Sequence, residues 1–298
     1  MGSSRLKQIG IYVGKNFRIF KNEKGWKMLV FALIISVLVS AVLDKKIFTL
    51  DTSTWTGFFT LVSACIWIGI FNSIQSVCKE RAIIKREHRT GLHISSYVCA
   101  HLIYQAVICL AEAAIMLGVS ALFLKYPAKA LIGSVWLEYF VTYFLVTFAA
   151  DVLGLAVSSI VKTPEAAMTV MPFVLIIQLV FSGALFTLAG PLSNVSSLTI
   201  SRWGLNAACT SANYNELDSM AAIQMEQKLV DVAEKNHVPV TREVIHTLVE
   251  KNMEAGYYPA YEYSVGHLLK QWGMLLIHCA VYAGISIIAL EFVDKDKR

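Results

Sequence analysis

Charge is scarce in this chain. Only 16% of its 298 residues are Asp, Glu, Lys or Arg, against 56% hydrophobic, and the mean hydropathy is +0.58. Soluble domains carry nearer a quarter charged residues, so the composition excludes an ordinary soluble protein and indicates a polytopic membrane protein. Several catalytic signatures are missing too. No GxxxxGK[ST] run occurs, which excludes P-loop nucleotide binding on these residues. HExxH is absent, and His88 and His93 stand in a charged loop with no metal-site context, so no metal is expected. GxSxG is absent as well, leaving an intramembrane serine hydrolase without a motif. No CxxC spacing joins the six cysteines, and five of them lie in or beside apolar runs, where a thiol behaves as a small hydrophobe. The first apolar run follows about 27 polar and basic residues, too many for the n-region of a signal peptide.

Long apolar runs are what the chain has in abundance. About 20 mostly apolar residues cover a hydrocarbon core of about 30 Å. Six runs qualify, at about 27–43, 55–77, 95–124, 132–161, 166–189 and 269–291. Trp26, Trp55, Trp136 and Trp272 stand at their starts, as interfacial aromatic anchors do. The net charge of +5 is no nucleic-acid signal, because the cations flank these runs. Arg5, Lys7, Lys15, Arg18, Lys21, Lys24 and Lys27 precede the first run. Lys79, Arg81, Lys85, Arg86 and Arg89 fill the loop at 79–92, and Lys295, Lys297 and Arg298 close the chain. The loops at 44–54 and 125–134 are poorer in cations, so the positive-inside bias places both termini and the 79–92 cluster in the cytoplasm.

Leu6, Ile9, Val13, Phe17 and Phe20 recur at helical spacing among cations, which predicts a basic amphipathic helix over 1–26. Such a helix lies along the inner membrane surface, packs on its own protein, or does both. The segment at 190–268 joins the last two runs and is acidic. It reads as an extracellular insertion with a helical hairpin: one helix over 215–236, a second capped at Thr241 and ending near Gly256. Glu112 and Asp151 are ionisable residues inside runs, hence functional candidates. Thr142, Tyr143 and Thr147 are available to hold them as structural groups instead.

Two stretches carry a family likeness. The first is Glu80-Arg81, Lys85-Arg86-Glu87, Gly91-Leu92 and Tyr97. The second is Phe181-Ser-Gly-Ala-Leu-Phe186, with Ser201-Arg-Trp-Gly204 and Tyr214-Asn-Glu216. In these, and in its layout, the chain resembles an ABC-2 type permease, most narrowly the membrane half of the G subfamily of ABC transporters and its bacterial relatives. Two features depart from the pattern: Val107, Ile108 and Cys109 stand where the family has a proline, and the outer segment lacks the cysteine pairs of animal members.

The resemblance implies an all-α membrane protein of six spans, with an N-terminal amphipathic cytoplasmic helix and an external helical hairpin. The transmembrane domain would occupy 27–298. The 79–92 segment would be a coupling helix for a separate ATPase, with Glu80, Arg81, Arg86 and Glu87 pairing with that partner or with the N-terminal helix. Phe58, Phe59, Trp67, Asn72, Phe173, Gln178 and Phe181 would line a substrate cavity shared with a second permease copy, most simply a homodimer. Ala184 and Leu185 would form an outer gate. No cofactor is implied on this chain; ATP and Mg belong to the ATPase. Amphipathic peptides, lipids or hydrophobic small molecules suit the cavity, and a glycan is the alternative cargo. An ATP-independent proton-coupled carrier using Glu112 and Asp151, and a membrane sensor, are rival readings.

Overall fold

The computed structural model describes residues 4–184, 191–235 and 257–292, with Val244 and Val249 besides. The regular elements among them are helical: α1 (Arg5–Asn22), α2 (Trp26–Val42), α3 (Asp51–Ser73), α4 (Ser76–Arg89), α5 (Ile94–Phe123), α6 (Val135–Ile160), α7 (Pro164–Val180), α8 (Pro191–Ser196), α9 (Ile200–Ser211), α10 (Met220–Lys235) and α11 (Val265–Glu291). Each apolar run of the sequence holds one helix. Four spans are long and apolar enough to cross a membrane, or five if α1 and α2, bent by 69° at their junction, count as one broken span. At 1.5 Å per residue the 17 residues of α2 or of α7 extend only about 25 Å, short of the usual hydrocarbon thickness. The chain is thus a multi-pass helical membrane protein.

Local chemistry sets the helix ends. The Thr163 hydroxyl accepts from the Ala166 N–H with Pro164 in the first turn of α7, and Ser264 accepts from the His267 N–H at the start of α11. At the other end of α4, Gly91 takes a φ of +104°, a left-handed conformation that suits a residue without Cβ.

Packing centres on α3 and α6, which bury most of their length in one apolar core. They can approach because Gly69 and Gly154 face the contact. A Cβ on Gly69 would stand 2.2 Å from the Thr147 carbonyl oxygen, and one on Gly154 would stand 2.5 Å from Ser73 Oγ. Between membrane helices, where lipid is as apolar as leucine, such close backbone contact is a principal source of association. On α2 the buried residues are Ala32, Ser36 and Ser40, a small-residue stripe at four-residue spacing. At the end of the core where the chain passes from α2 to α3, Phe58 stacks on Tyr139 with ring centroids 5.4 Å apart, and Phe48 meets both edge-on.

Part of the segment at 190–268 packs into the helix bundle. Its α9 is buried along most of its length against α3, α6 and α11, with Gly204 fitted against Val146 and Val62. Cys209, which sequence places in a polar stretch, is fully buried there. The expected helix over 215–236 appears as a short 3-10 turn, Tyr214–Glu216, followed by α10. Paired backbone bonds between 49–51 and Asp218, and the Met220 N–H on the Asp51 carboxylate, tie it to the start of α3. The hairpin's second helix, with Thr241 and Gly256, lies outside the described residues.

Candidate functional site

The charge cluster at 79–92 folds as α4, an amphipathic helix at one end of the bundle. Val77, Cys78 and Ile84 are its buried residues. They sit in an apolar cluster with Tyr97, Val98 and Leu155, or beside it on the main core. Serine anchors its first turn: Ser158 Oγ on α6 accepts from the Val77 and Cys78 N–H groups, 3.1 and 3.2 Å away. These are donors that a helix start otherwise leaves unmet.

The four expected coupling residues divide between two faces. Glu80 turns inward and accepts from Lys15 Nζ of α1 at 3.1 Å and from the Tyr97 hydroxyl at 3.3 Å. Glu87 accepts from the Tyr12 hydroxyl at 2.6 Å. Burial and the neighbouring Glu87 carboxylate push the Tyr12 phenol above the ordinary tyrosine range, so it remains a donor at neutral pH. Arg81 donates through Nη1 to the Ser159 and Val161 carbonyls, 2.8 and 3.2 Å away. A cation at those last carbonyls also complements the negative end of the α6 dipole. Arg86 alone of the four is exposed, on a face it shares with Lys79, Ala82 and Ile83, the last 39% exposed. Spacings of 3, 1 and 3 residues put these on one side of a helix.

Sequence reasoning missed the partner stripe on α1. It is Gln8, Tyr12, Lys15 and Asn16, the polar side of that helix, that meets α4 and α5, and Gln8 and Asn16 are its buried residues. Gln8 bonds both ways, donating to the Gly91 carbonyl and accepting from the His93 N–H, each at 3.0 Å. The apolar side is only partly covered: Leu6 is 81% and Phe17 38% exposed, while Phe17 and Phe20 also meet the Tyr104 ring of α5 edge-on. The four-residue recurrence of 8, 12 and 16 is the signal that could have identified it.

The cavity candidates do not converge within one subunit. Phe58 is fully buried in the aromatic stack, and Asn72 is buried because its amide donates to Glu112 at 2.8 Å. Gln178 is buried because its side-chain oxygen accepts from the Ile200 and Ser201 N–H groups, so that α7 caps the start of α9. Phe59 and Phe181 are half-buried. Only Trp67 and Phe173 stand out on the surface, at 41% and 65% exposure. A cleft of about 580 Å³ opens elsewhere, between α2 and α3, walled by Leu38, Val42, Thr52, Thr56 and Thr60, and none of the seven lines it. Of the gate pair, Ala184 is buried, and Leu185 lies outside the described residues. Two tryptophan anchors also turn inward, Trp55 donating to the Tyr261 hydroxyl and Trp272 to the Thr142 hydroxyl, while Trp26 and Trp136 are exposed.

Among the described residues, no cluster of His, Cys, Asp and Glu suits a metal ion. What the α4 arrangement can do is mechanical: it offers an open basic and apolar face on a helix bonded to α1, α5 and α6. Against known proteins, the profile of the ABC-2 type transporter family matches residues 7–209. The chain is also similar to an ABC transporter ATP-binding/permease protein of Mycobacterium tuberculosis, 30% identical over 156 residues. That match takes in 51% of this chain and spans only 18% of the relative's length.

Proposed function

This chain belongs to the ABC-2 type transporter family, and from that premise we propose that it is the membrane-spanning permease subunit of an ABC exporter. The family is one of transport permeases, which do no bond chemistry themselves. A separate ATPase would supply the ATP and Mg chemistry, and a second permease copy would complete the pathway. In this reading six spans cross the cell membrane with both termini and α4 in the cytoplasm, as the cation distribution favours. The exposed apolar residues of α1, Leu6 and Phe17 among them, suit the inner membrane surface. Substrate would pass between α3 and α7 of the two copies along walls that include Trp67 and Phe173. Those two are outward-facing large apolar residues, so amphipathic peptides, lipids or hydrophobic small molecules fit best. Ala184 and Leu185 would close the outer end.

The observation that carries this reading is the division of α4. Glu80, Arg81 and Glu87 hold the helix to α1, α5 and α6, which leaves Lys79, Ile83 and Arg86 facing away from the bundle. A partner pressing on that face moves three elements at once. Coupling requires such an element, one that both sites bias.

The test is purification of the tagged chain from its native membrane in mild detergent, followed by mass spectrometry. An ATPase subunit should be retained in equal amount and lost in the Ile83→Asp, Arg86→Glu double variant, with the thermal stability of the permease unchanged. A chain that purifies alone with full transport activity would sink the proposal.

A further inference from the structure

The bundle contains a second polar system that coupling does not use. Glu112 on α5 and Asp151 on α6 are 1% and 0% exposed, at the level where α3 places two adjacent polar residues. Asn72 donates to Glu112 Oε2, and Ser73 donates to the backbone carbonyl of Asp151. Glu112 Oε1 has no hydrogen-bond partner, and the Ser73 hydroxyl, whose bond goes to the backbone, is the one donor beside the Asp151 carboxyl. Glu112 lies within electrostatic reach of Asp151. The other groups that bear on the pair are Tyr104 and Cys109 of α5, Cys65 of α3 and Cys279 of α11. None of these, among the described residues, is a lysine or an arginine. A carboxylate buried without a cation is costly enough that it binds a proton instead.

Further buried polar groups stand on the same face of α5 and on the neighbouring α1. His101 and Gln105 lie on the same face of α5 as Glu112, at spacings of four and seven residues. Both are buried, and His101 Nδ1 and Gln105 Oε1 also lack partners. Tyr97, which bonds to Glu80, packs on the His101 ring with centroids 5.1 Å apart. Asn16 on α1 is buried with an unpartnered amide nitrogen. Buried polar groups that the protein leaves unpaired are the ones that internal water satisfies.

We propose that Glu112 and Asp151 form an intramembrane proton-binding site, loaded from the α1 end of the bundle along the His101–Gln105 face of α5. Asp151, fully buried beside Glu112 and with no cation near it, holds its proton in the resting protein. Glu112, with one oxygen fixed by Asn72 and one free, is the carboxyl that exchanges. Loading is the transfer of one proton from water to a carboxylate, and it needs no other reactant. The inference does not depend on the presence of an ATPase.

Infrared difference spectroscopy of the full chain in lipid bilayers reads this directly. At neutral pH the wild type should show a protonated-carboxyl C=O band that shifts on transfer to D₂O. Asp151→Asn should remove its resting part, Glu112→Gln its pH-dependent part, and the double variant all of it. Gln105→Leu should slow the deuterium exchange by about tenfold while leaving the band area unchanged. Absence of the band in wild type overturns the proposal without any variant, and so does a band that survives in the double variant. A band that never exchanges marks a sealed structural acid. A band that follows sodium concentration instead of pH marks a cation site. Either result refutes a loaded proton site.

Discussion

Two helix contacts in this molecule solve one problem with opposite chemistry. At the α3–α6 crossing, Gly69 and Gly154 remove side chains so that backbones touch, with each missing Cβ within 3 Å of the opposing helix. At the α1–α4 contact the interface is made of side chains: Tyr12 to Glu87, Lys15 to Glu80, and Gln8 to the backbone at 91 and 93. The difference follows from solvent. In lipid no hydrophobic force draws helices together, so shape has to. At a wet end, polar pairs are individually weak and are screened by salt, which makes the contact adjustable. The crossing is built to stay fixed, and the α1–α4 contact to be adjustable, as the proposed coupling role would require.

The largest expected effect would break the first contact. Gly69→Ala puts a methyl against the Thr147 carbonyl and the Asp151 N–H, backbone atoms that cannot swing aside. Overpacking of this kind costs roughly 1–3 kcal/mol, so the variant should unfold at a lower temperature in detergent, and Gly69→Val should yield no monodisperse protein. Unchanged melting of Gly69→Ala would show that the helices have room to separate.

A smaller effect is expected at the second contact. Tyr12→Phe removes a hydrogen bond to a carboxylate, worth about 1.5–3 kcal/mol when well formed and less at this half-exposed site. Hydrogen exchange should rise across α1 and stay constant in α3 and α6. Equal increases in both places would mean that the contacts are not independent. Because the Tyr12 phenol is raised in the folded state, its contribution is whole below the unfolded tyrosine value of about 10 and is lost as pH rises above it. Protection of α1, taken relative to the intrinsic exchange rate at each pH, should therefore be flat from about pH 6 to 9, below the tyrosine value of about 10.

The smallest effect belongs to Lys15→Met. The Lys15–Glu80 pair is part-exposed, with side chains 28% and 18% accessible, and pairs of this kind contribute about 0–1 kcal/mol. Its loss should appear as faster exchange of α1 at low salt and should vanish in high salt. A difference that persists at high salt would assign the effect to packing of the lysine stem on Tyr12, whose ring lies 5.5 Å from Nζ.

The sequence by itself determined the membrane class, the positions of the helices in the six apolar runs, and the special standing of 79–92. Those follow from composition, period and length, which are properties of short stretches of chain. It also pointed to Glu112 and Asp151, because an acid in an apolar run is costly wherever it faces. Only the tertiary structure decided the partners. Phe58 and Phe173 look alike in sequence, yet one is locked on Tyr139 and the other is exposed, since burial depends on which helix lies opposite. Gln178 and Asn72 read as possible lining residues and are instead spent on the start of α9 and on Glu112. Among four charges on α4, three turned inward because Lys15, Tyr12, Tyr97 and the end of α6 stand there to receive them. Arg86 stayed outside because the helical turn put it on the other side.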